Sequence, residues 1–322
     1  MEAVAEAHPN IALVKYWGKR DQPGNVPATP SLSITLDDLR THTRVMFDAA
    51  IPERQVVLNG TVVRDTKIDA CLDRLIQRAR RPLPPVRVET NNNFATAAGL
   101  ASSASGFAAL VTAVDAALGL TLDADERVIE ARRASASAAR SLFGGFVVLN
   151  GSADPNSWLA RPELDAAEWP LQVVIAICSQ DKKAVASSAG MTMSRTSPYY
   201  ERWTEAAARD FVAAREAVAT RDFAHLADVA EGNCLAMHAV MLSARPPLVY
   251  WTGATVECLG CVQALRKAGT PVFFTIDAGP QVKAVCEPGA VAAVRAALEA
   301  IPSVKQVLTV GLGGPARLLS TS

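Results

Sequence analysis

Residues 93–106 read NFATAAGLASSASG, and the way this stretch joins its neighbours decides the fold. Residues 86–90 before it have the character of a strand. After it, Phe107, Leu110, Val111, Val114 and Leu118 recur at the spacing that buries one face of a helix. The stretch is therefore a loop feeding a helix. Its residues Gly99, Ser102, Ser103, Ser105 and Gly106 are small, with Leu100 the exception, so backbone N–H groups at the start of the helix can approach a ligand closely. Those unpaired N–H groups, with roughly half a positive charge from the helix dipole, favour an anion such as phosphate. The serine hydroxyls can reach phosphate oxygens or a magnesium ion. The same small residues are equally compatible with tight helix packing. No GK[ST] follows the glycine and no G-x-G-x-x-G is present, so this is neither a Walker A loop nor a dinucleotide fingerprint.

Composition narrows the classes. The chain has 322 residues, half of them hydrophobic and a fifth charged, as expected for a globular enzyme of one large or two smaller domains. Lys plus Arg equals Asp plus Glu, 32 each, so no global field recruits nucleic acid or an acidic membrane, and any basic ligand site must be local. MEAVAEAHPN carries acidic residues and no apolar core of a signal peptide, and no apolar run has membrane-spanning length. A cytoplasmic protein is expected. Cys258 and Cys261 form a lone C-x-x-C without a second pair or a nearby histidine, which reads as buried thiols rather than a zinc set. His8, His42, His225 and His238 are scattered.

Along the chain, NIALVKYWGK (residues 10–19) is an apolar strand ending in aromatics and two cations, Lys15 and Lys19. Residues 27–36 and 41–47 read as two strands of a hairpin. Residues 65–81 form a helix that RRPLPP breaks. Thr121 and Asp123 open another helix, expected to carry the small-residue run 134–141, where Arg140 has room to point into a cavity. A buried strand covers residues 171–178. The polar stretch DKKAVASSAGMTMSRTSPYYERW (residues 181–203) is either a solvated loop or a lid offering Lys182 or Lys183 and Ser187 or Ser188. Two helices span 210–242, broken near 220–222, and a further helix over 255–268 ends at Gly269. PVFFTIDAGPQV (residues 271–282) is a strand running into a turn at Asp277, a residue that by itself reads as a turn former. Residues 288–300 form a helix and 304–312 a closing strand, with no role assigned to the GLGGPA tail.

Several of these phrases carry a resemblance. TAAGLASSASGFAAL resembles the phosphate loop P-x-x-x-G-L-x-S-S-x-S/A of the GHMP kinase superfamily, with Ala95 where proline is usual. NIALVKYWGKR, ASASAARSLFGGFVVL, NCLAMHAVML and FFTIDAGPQ are similar to successive phrases of the mevalonate diphosphate decarboxylases, in the same order. Ala134, Ala136 and Ala139 replace two glycines and a cysteine of the family's arginine phrase.

The resemblance implies an α+β GHMP kinase fold in two α/β-layered halves, residues 1–175 and 176–322, with the active-site cleft between them. It implies Asp277 as the catalytic carboxylate, Lys15 beside it, and Arg140 on the substrate carboxylate. Asn10, Tyr16, Lys19, Ser135, Ser137 and Ser188 would join Arg140 in holding the substrate. Asn93, Gly99, Leu100, Ala101, Ser102, Ser103, Ser105 and Lys182 would hold ATP, with Ser103 near its magnesium. The implied activity is ATP-dependent decarboxylation of 5-diphosphomevalonate by a homodimer. Three alternatives stand beside it: a 5-phosphomevalonate decarboxylase, a mevalonate-type kinase that does not decarboxylate, and a nucleotide-binding sensor.

Overall fold

The computed structural model describes residues 1–20, 23–94, 102–181 and 183–321. Its first layer is a six-stranded sheet in the order Arg317–Thr321, Glu2–Ala7, Thr41–Phe47, Val86–Asn92, Gln55–Leu58, Thr61–Val63. Neighbours run antiparallel except Gln55–Leu58 beside Val86–Asn92. Along Thr41–Phe47 every second residue is buried, as in a sheet with one covered face. Helix Ser102–Leu118 packs on that face. Its expected stripe is buried throughout, and Ala108, Ala109, Ala113 and Ala117 bury a second stripe. The second stripe exists because another segment, Ala136–Leu142, lies against the helix's far side.

That segment departs from expectation. Asp123 does cap a helix, in a reciprocal box with Glu126, but the helix is Ala124–Ala134 and stops at the first residue of the small-residue run. Ser135 is extended, and Ala136–Leu142 winds as a 3-10 helix. Alanines and serines tolerate this tighter winding and the close approach it brings to helix Ser102–Leu118.

The expected hairpin is not formed either. Ser31–Thr35 belongs to a second, four-stranded sheet in the order Asn10–Val14, Ser31–Thr35, Phe146–Asn150, Leu159–Leu164, whereas Thr41–Phe47 belongs to the first. Burial explains the split. Ser31–Thr35 is covered on both faces and Thr41–Phe47 on one, so the two cannot share a sheet without exposing one pattern or burying the other.

A third sheet, in the order Val272–Ile276, Val282–Cys286, Gln172–Ile177, Gln306–Val310, is covered on both faces. Alternation distributes its side chains between two cores. Val173, Ile175, Phe273 and Val285 face one side, where they share a core with Ile11, Leu13, Leu32 and Phe146 of the second sheet and with helices Tyr200–Thr220 and Phe223–Leu242. Val174, Ala176, Phe274 and Ala284 face the other, against helices Gly253–Lys267 and Val291–Glu299. Each fully buried Phe or Val contributes about 1.5–3 kcal/mol.

The tail has a structural role. Gly313 accepts a hydrogen bond from the N–H of Gly145 (2.9 Å) and donates to the carbonyl of Thr35 (2.8 Å), after which Arg317–Thr321 pairs with Glu2–Ala7 at the edge of the first sheet. Among the described residues no helix is long and apolar enough to cross a membrane.

Candidate active site

The site is assembled where the second and third sheets meet. Asp277 follows strand Val272–Ile276, and Lys15 follows strand Asn10–Val14. The Lys15 ammonium lies 2.8 Å from Oδ1 of Asp277 and 2.8 Å from the carbonyl of Ala12, to which Thr275 also donates at 3.2 Å. Oδ2 of Asp277 meets a second ammonium, that of Lys283, at 3.1 Å. Both lysines are buried, while the Asp277 side chain keeps 28% of its surface, opened onto a cavity of about 380 Å³. Burial alone would raise the Asp277 carboxyl, but the two ammoniums outweigh it and hold the group far below the ordinary carboxylate range.

Arg140 enters the same cavity from the 3-10 segment. Its Nε donates to Oγ of Ser33 (3.0 Å), Nη1 to Oγ of Ser31 (2.6 Å), and Nη2 to Oδ1 of Asn10 (3.2 Å). Asn10 is fixed in turn by donating to Oγ of Ser141 at 2.7 Å and to the carbonyl of Ser137 at 3.0 Å. All these partners are neutral. A guanidinium 2% exposed, with no salt bridge among the described residues, is pushed down to about 10 by burial and still carries its charge at neutral pH. Its charge is directed at whatever anion enters.

One wall of the cavity is built from the chain around Trp17. The residues expected to be loop or lid include a helix, Ser187–Ser194, which Trp17 anchors by donating from its indole to Oγ of Ser194 at 2.9 Å. A side chain at Gly190 would stand 2.7 Å from the Tyr250 hydroxyl and 3.1 Å from the Trp17 ring, so this close approach requires glycine. Docking the helix here lets Lys19 donate to Oγ of Ser188 (2.6 Å) and Lys183 to Oγ of Ser187 (2.8 Å). Burial pushes both ammoniums down. The Tyr16 hydroxyl is buried without a hydrogen-bond partner among the described residues, and burial pushes its ionisation well up, so it stays a neutral donor. Ser135 and Ser137, 3.2 Å apart through their hydroxyls, line the cavity as well.

Of the residues singled out from sequence, Asn10, Lys15, Tyr16, Lys19, Ser102, Ser103, Ser135, Ser137, Arg140, Ser188 and Asp277 line this one cavity. Gly99, Leu100, Ala101 and Lys182 lie outside the described residues. Two others are placed elsewhere. The Asn93 side chain accepts from the N–H of Arg40 (2.7 Å) and donates to the carbonyl of Asp38 (2.6 Å), so its amide is committed to that turn. Ser105 is fully buried, its hydroxyl 2.6 Å from that of Thr41.

Several site residues are not singled out by the sequence reading. Lys67 adds a cation to the wall beside Lys183, one of the two lysines that the stretch 181–203 offered as alternatives. Ser31 and Ser33 hold Arg140, and the signal for them is the alternation S-L-S-I-T, which buries a polar face opposite an apolar one. Asn233, fully buried on helix Phe223–Leu242, accepts from the N–H of Lys15 at 2.7 Å and donates to Asp210 at 2.8 Å. On the same helix the thiol of Cys234, the next residue, accepts from the N–H of Ile276 (3.1 Å), and the His238 ring, just over a turn further, sits 3.3 Å from the Ile276 carbonyl. One helix thus grips the backbones that carry both Lys15 and Asp277. Replacing Asn233 by leucine keeps the volume but strands the buried N–H of Lys15 and the half-buried carboxylate of Asp210. It is expected to cost about 1–3 kcal/mol in urea unfolding and to lower kcat by roughly tenfold through displacement of Lys15. Stability and turnover equal to the parent would show that the bridge positions nothing.

A smaller cavity of about 190 Å³ adjoins the first, sharing Ser102 and Ser103. Its walls are apolar, with Leu58, Ile68, Val88, Phe107 and Leu110, and Asp65 and Asn92 among its polar edges. Among the described residues no three His, Cys, Asp or Glu side chains are grouped to hold a metal. The exposed hydroxyl of Ser103 at the helix start suits a magnesium ion brought by phosphate oxygens, which takes hard oxygen donors and keeps part of its water shell.

The geometry can be compared with known proteins. Residues 7–159 match the diphosphomevalonate decarboxylase-like N-terminal domain, and residues 173–310 the mevalonate 5-diphosphate decarboxylase C-terminal domain. The diphosphomevalonate decarboxylase of Candida albicans is 37% identical over 290 residues, 84% of this chain and 80% of that one. A solved chain of the mevalonate diphosphate decarboxylase from Enterococcus faecalis is 36% identical with a TM-score of 0.91, covering 100% of this chain and 99% of that one. Another solved chain, in complex with MVAPP, AMPPCP and magnesium, is 37% identical with a TM-score of 0.92 over 100% and 99% of the two chains. The layered sheets and helices are those of the GHMP kinase fold. With the phrases, the fold and both domain matches in agreement, the chain belongs to the diphosphomevalonate decarboxylase family.

Proposed function

We propose that this protein converts ATP and (R)-5-diphosphomevalonate into isopentenyl diphosphate, ADP, phosphate and CO2. The observation that carries the reading is the meeting of Asp277, Lys15 and Arg140 in one cavity whose other polar side chains are ammoniums, hydroxyls and the amides of Asn10 and Asn25. Among the described residues five cations, Lys15, Lys19, Lys67, Lys183 and Arg140, share that wall with one carboxylate, which suits a polyanion. The smaller apolar cavity suits the adenine of ATP, whose phosphates would pass Ser102 and Ser103 toward Asp277. Magnesium held by Ser103 and those phosphates would offset their charge.

Each residue then has a task. Asp277 orients the tertiary hydroxyl of the substrate toward the γ-phosphoryl group. Lys15 fixes Asp277 and faces the same oxygen. Transfer, with Asp277 taking the proton of the hydroxyl as the O–P bond forms, gives a tertiary phosphate ester and ADP. Loss of that phosphate leaves positive character on carbon, and the C–C bond to the carboxylate then supplies the electron pair of the new alkene as CO2 departs. Arg140 holds the carboxylate in line for that cleavage. Tyr16, Lys19 and Ser188 hold the far diphosphate, with Ser135 and Ser137 lining the same cavity.

A coupled assay decides the matter, with ADP and CO2 measured on the mono- and diphosphorylated forms of mevalonate. Stoichiometric ADP and CO2 from the diphosphate support the reading. A preference for the monophosphate, or ADP without CO2, reassigns it to the other decarboxylase or to a kinase, and ATP binding without turnover of either form to a sensor. We further place the enzyme in the cytoplasm as a homodimer. The free cysteines support the compartment, since reducing conditions keep thiols unpaired, and a fluorescent fusion found elsewhere would refute it. Family membership supports the dimer, and light scattering giving a mass of one chain would refute that.

A further inference from the structure

Lys283 is out of place by every local rule. It lies within Val282–Cys286, an inner strand of the third sheet whose five residues are all buried, and its own exposure is 1%. An ammonium at such a position costs several kcal/mol unless it is paired and hydrogen-bonded. The pairing is with Oδ2 of Asp277, at 3.1 Å, while Lys15 holds Oδ1 at 2.8 Å. Register places Lys283 opposite Thr275, two residues before Asp277, so the strand pairing itself delivers the ammonium to the carboxylate. A single ion pair would leave Asp277 free to rotate about χ2. Two ammoniums on its two oxygens, carried by different sheets, fix the plane of the carboxylate.

We propose that Lys283 is a positioning residue of the decarboxylation, clamping Oδ2 of Asp277 so that the carboxylate presents a fixed lone pair to the tertiary hydroxyl. The inference rests on the function proposed above and deepens it. The groups facing Asp277 are Lys15 and Lys283 in direct contact, Lys183 and Arg140 across the cavity, and His238 and Cys234 from helix Phe223–Leu242. The last two stay neutral: burial drives the imidazole down to about 3 and the Cys234 thiol up. Lys15 and Lys283 are thus the contacting cations, and removing one leaves Asp277 both freer to turn and easier to protonate.

The test uses the full chain as Lys283→Met, with Lys283→Arg as the charge-keeping control, in two measurements. In the first, the carboxyl carbon of Asp277 is followed by 13C NMR titration of the resting protein, its resonance assigned by its loss in Asp277→Asn. In Lys283→Met the midpoint is expected to rise relative to the parent, and in Lys283→Arg to stay. In the second, kcat of Lys283→Met is expected to fall by about tenfold or more with KM for ATP within about twofold, and Lys283→Arg to recover most of the loss. A Lys283→Met protein with the parent's titration midpoint and kcat overturns the proposal, and so does one that is merely less stable with both readouts unmoved. If the parent itself releases neither ADP nor CO2, the proposed function fails, whereas the titration still decides whether Lys283 clamps Asp277.

Discussion

Asp277→Asn is expected to lower kcat by at least about a hundredfold while leaving the Kd for ATP within roughly twofold. The amide has the shape of the carboxylate but not its charge. The hydroxyl it should orient loses its anionic acceptor, and the Lys15 and Lys283 ammoniums, 2.8 and 3.1 Å away, lose their counter-charge in a buried setting. Breaking a buried ion pair by removing one partner costs about 3–5 kcal/mol, so a lower unfolding midpoint should accompany the loss of turnover. Measuring ATP binding on the same preparation separates the two effects. The smaller cavity proposed for the nucleotide, which shares Ser102 and Ser103 with the first, should be intact. Turnover equal to the parent would remove Asp277 from the chemistry.

Arg140→Gln should be nearly as damaging, by a different route. Among the described residues the guanidinium has only neutral partners, Asn10, Ser31 and Ser33, and it lines the cavity. A charge-assisted, two-point contact with a carboxylate in such a setting is worth roughly 3 kcal/mol, or about two orders of magnitude in kcat/KM for the phosphorylated mevalonate. Binding of ATP should be unaffected. Arg140→Lys should recover only part of the loss, because an ammonium cannot replace the planar fork held at once by Ser31, Ser33 and Asn10. An undiminished kcat/KM in Arg140→Gln would show that the substrate carboxylate is held elsewhere.

How much of this was legible beforehand varies with the physics involved. The Phe107 to Leu118 stripe placed its helix because one-sided burial leaves a 3.6-residue period. The strand that became the misread half of a hairpin, Ser31–Thr35, failed for a related reason: local alternation reports which residues are buried, not which sheet buries them, and that depends on Phe146–Asn150 more than a hundred residues on. The site divides the same way. Lys15, Arg140 and Asp277 were found through their phrases. Lys283 was missed because a lysine in V-K-A-V-C reads as a strand's polar face, and only tertiary pairing shows that the face is buried. Asn93 was misplaced because a polar residue before a phosphate loop and one that closes a neighbouring turn look alike in one dimension.

The crowd of cations around the cavity has one more consequence, for capture rather than chemistry. The whole chain is electrically neutral, so a wall with four more positive than negative groups obliges the remainder to carry four more negative than positive ones. A polyanion approaching from the wrong side is repelled and one approaching the mouth is drawn in, which makes encounter depend on orientation and on the ions dissolved around the protein. Added potassium chloride should therefore slow the second-order uptake of a scarce substrate well before it affects the saturated enzyme.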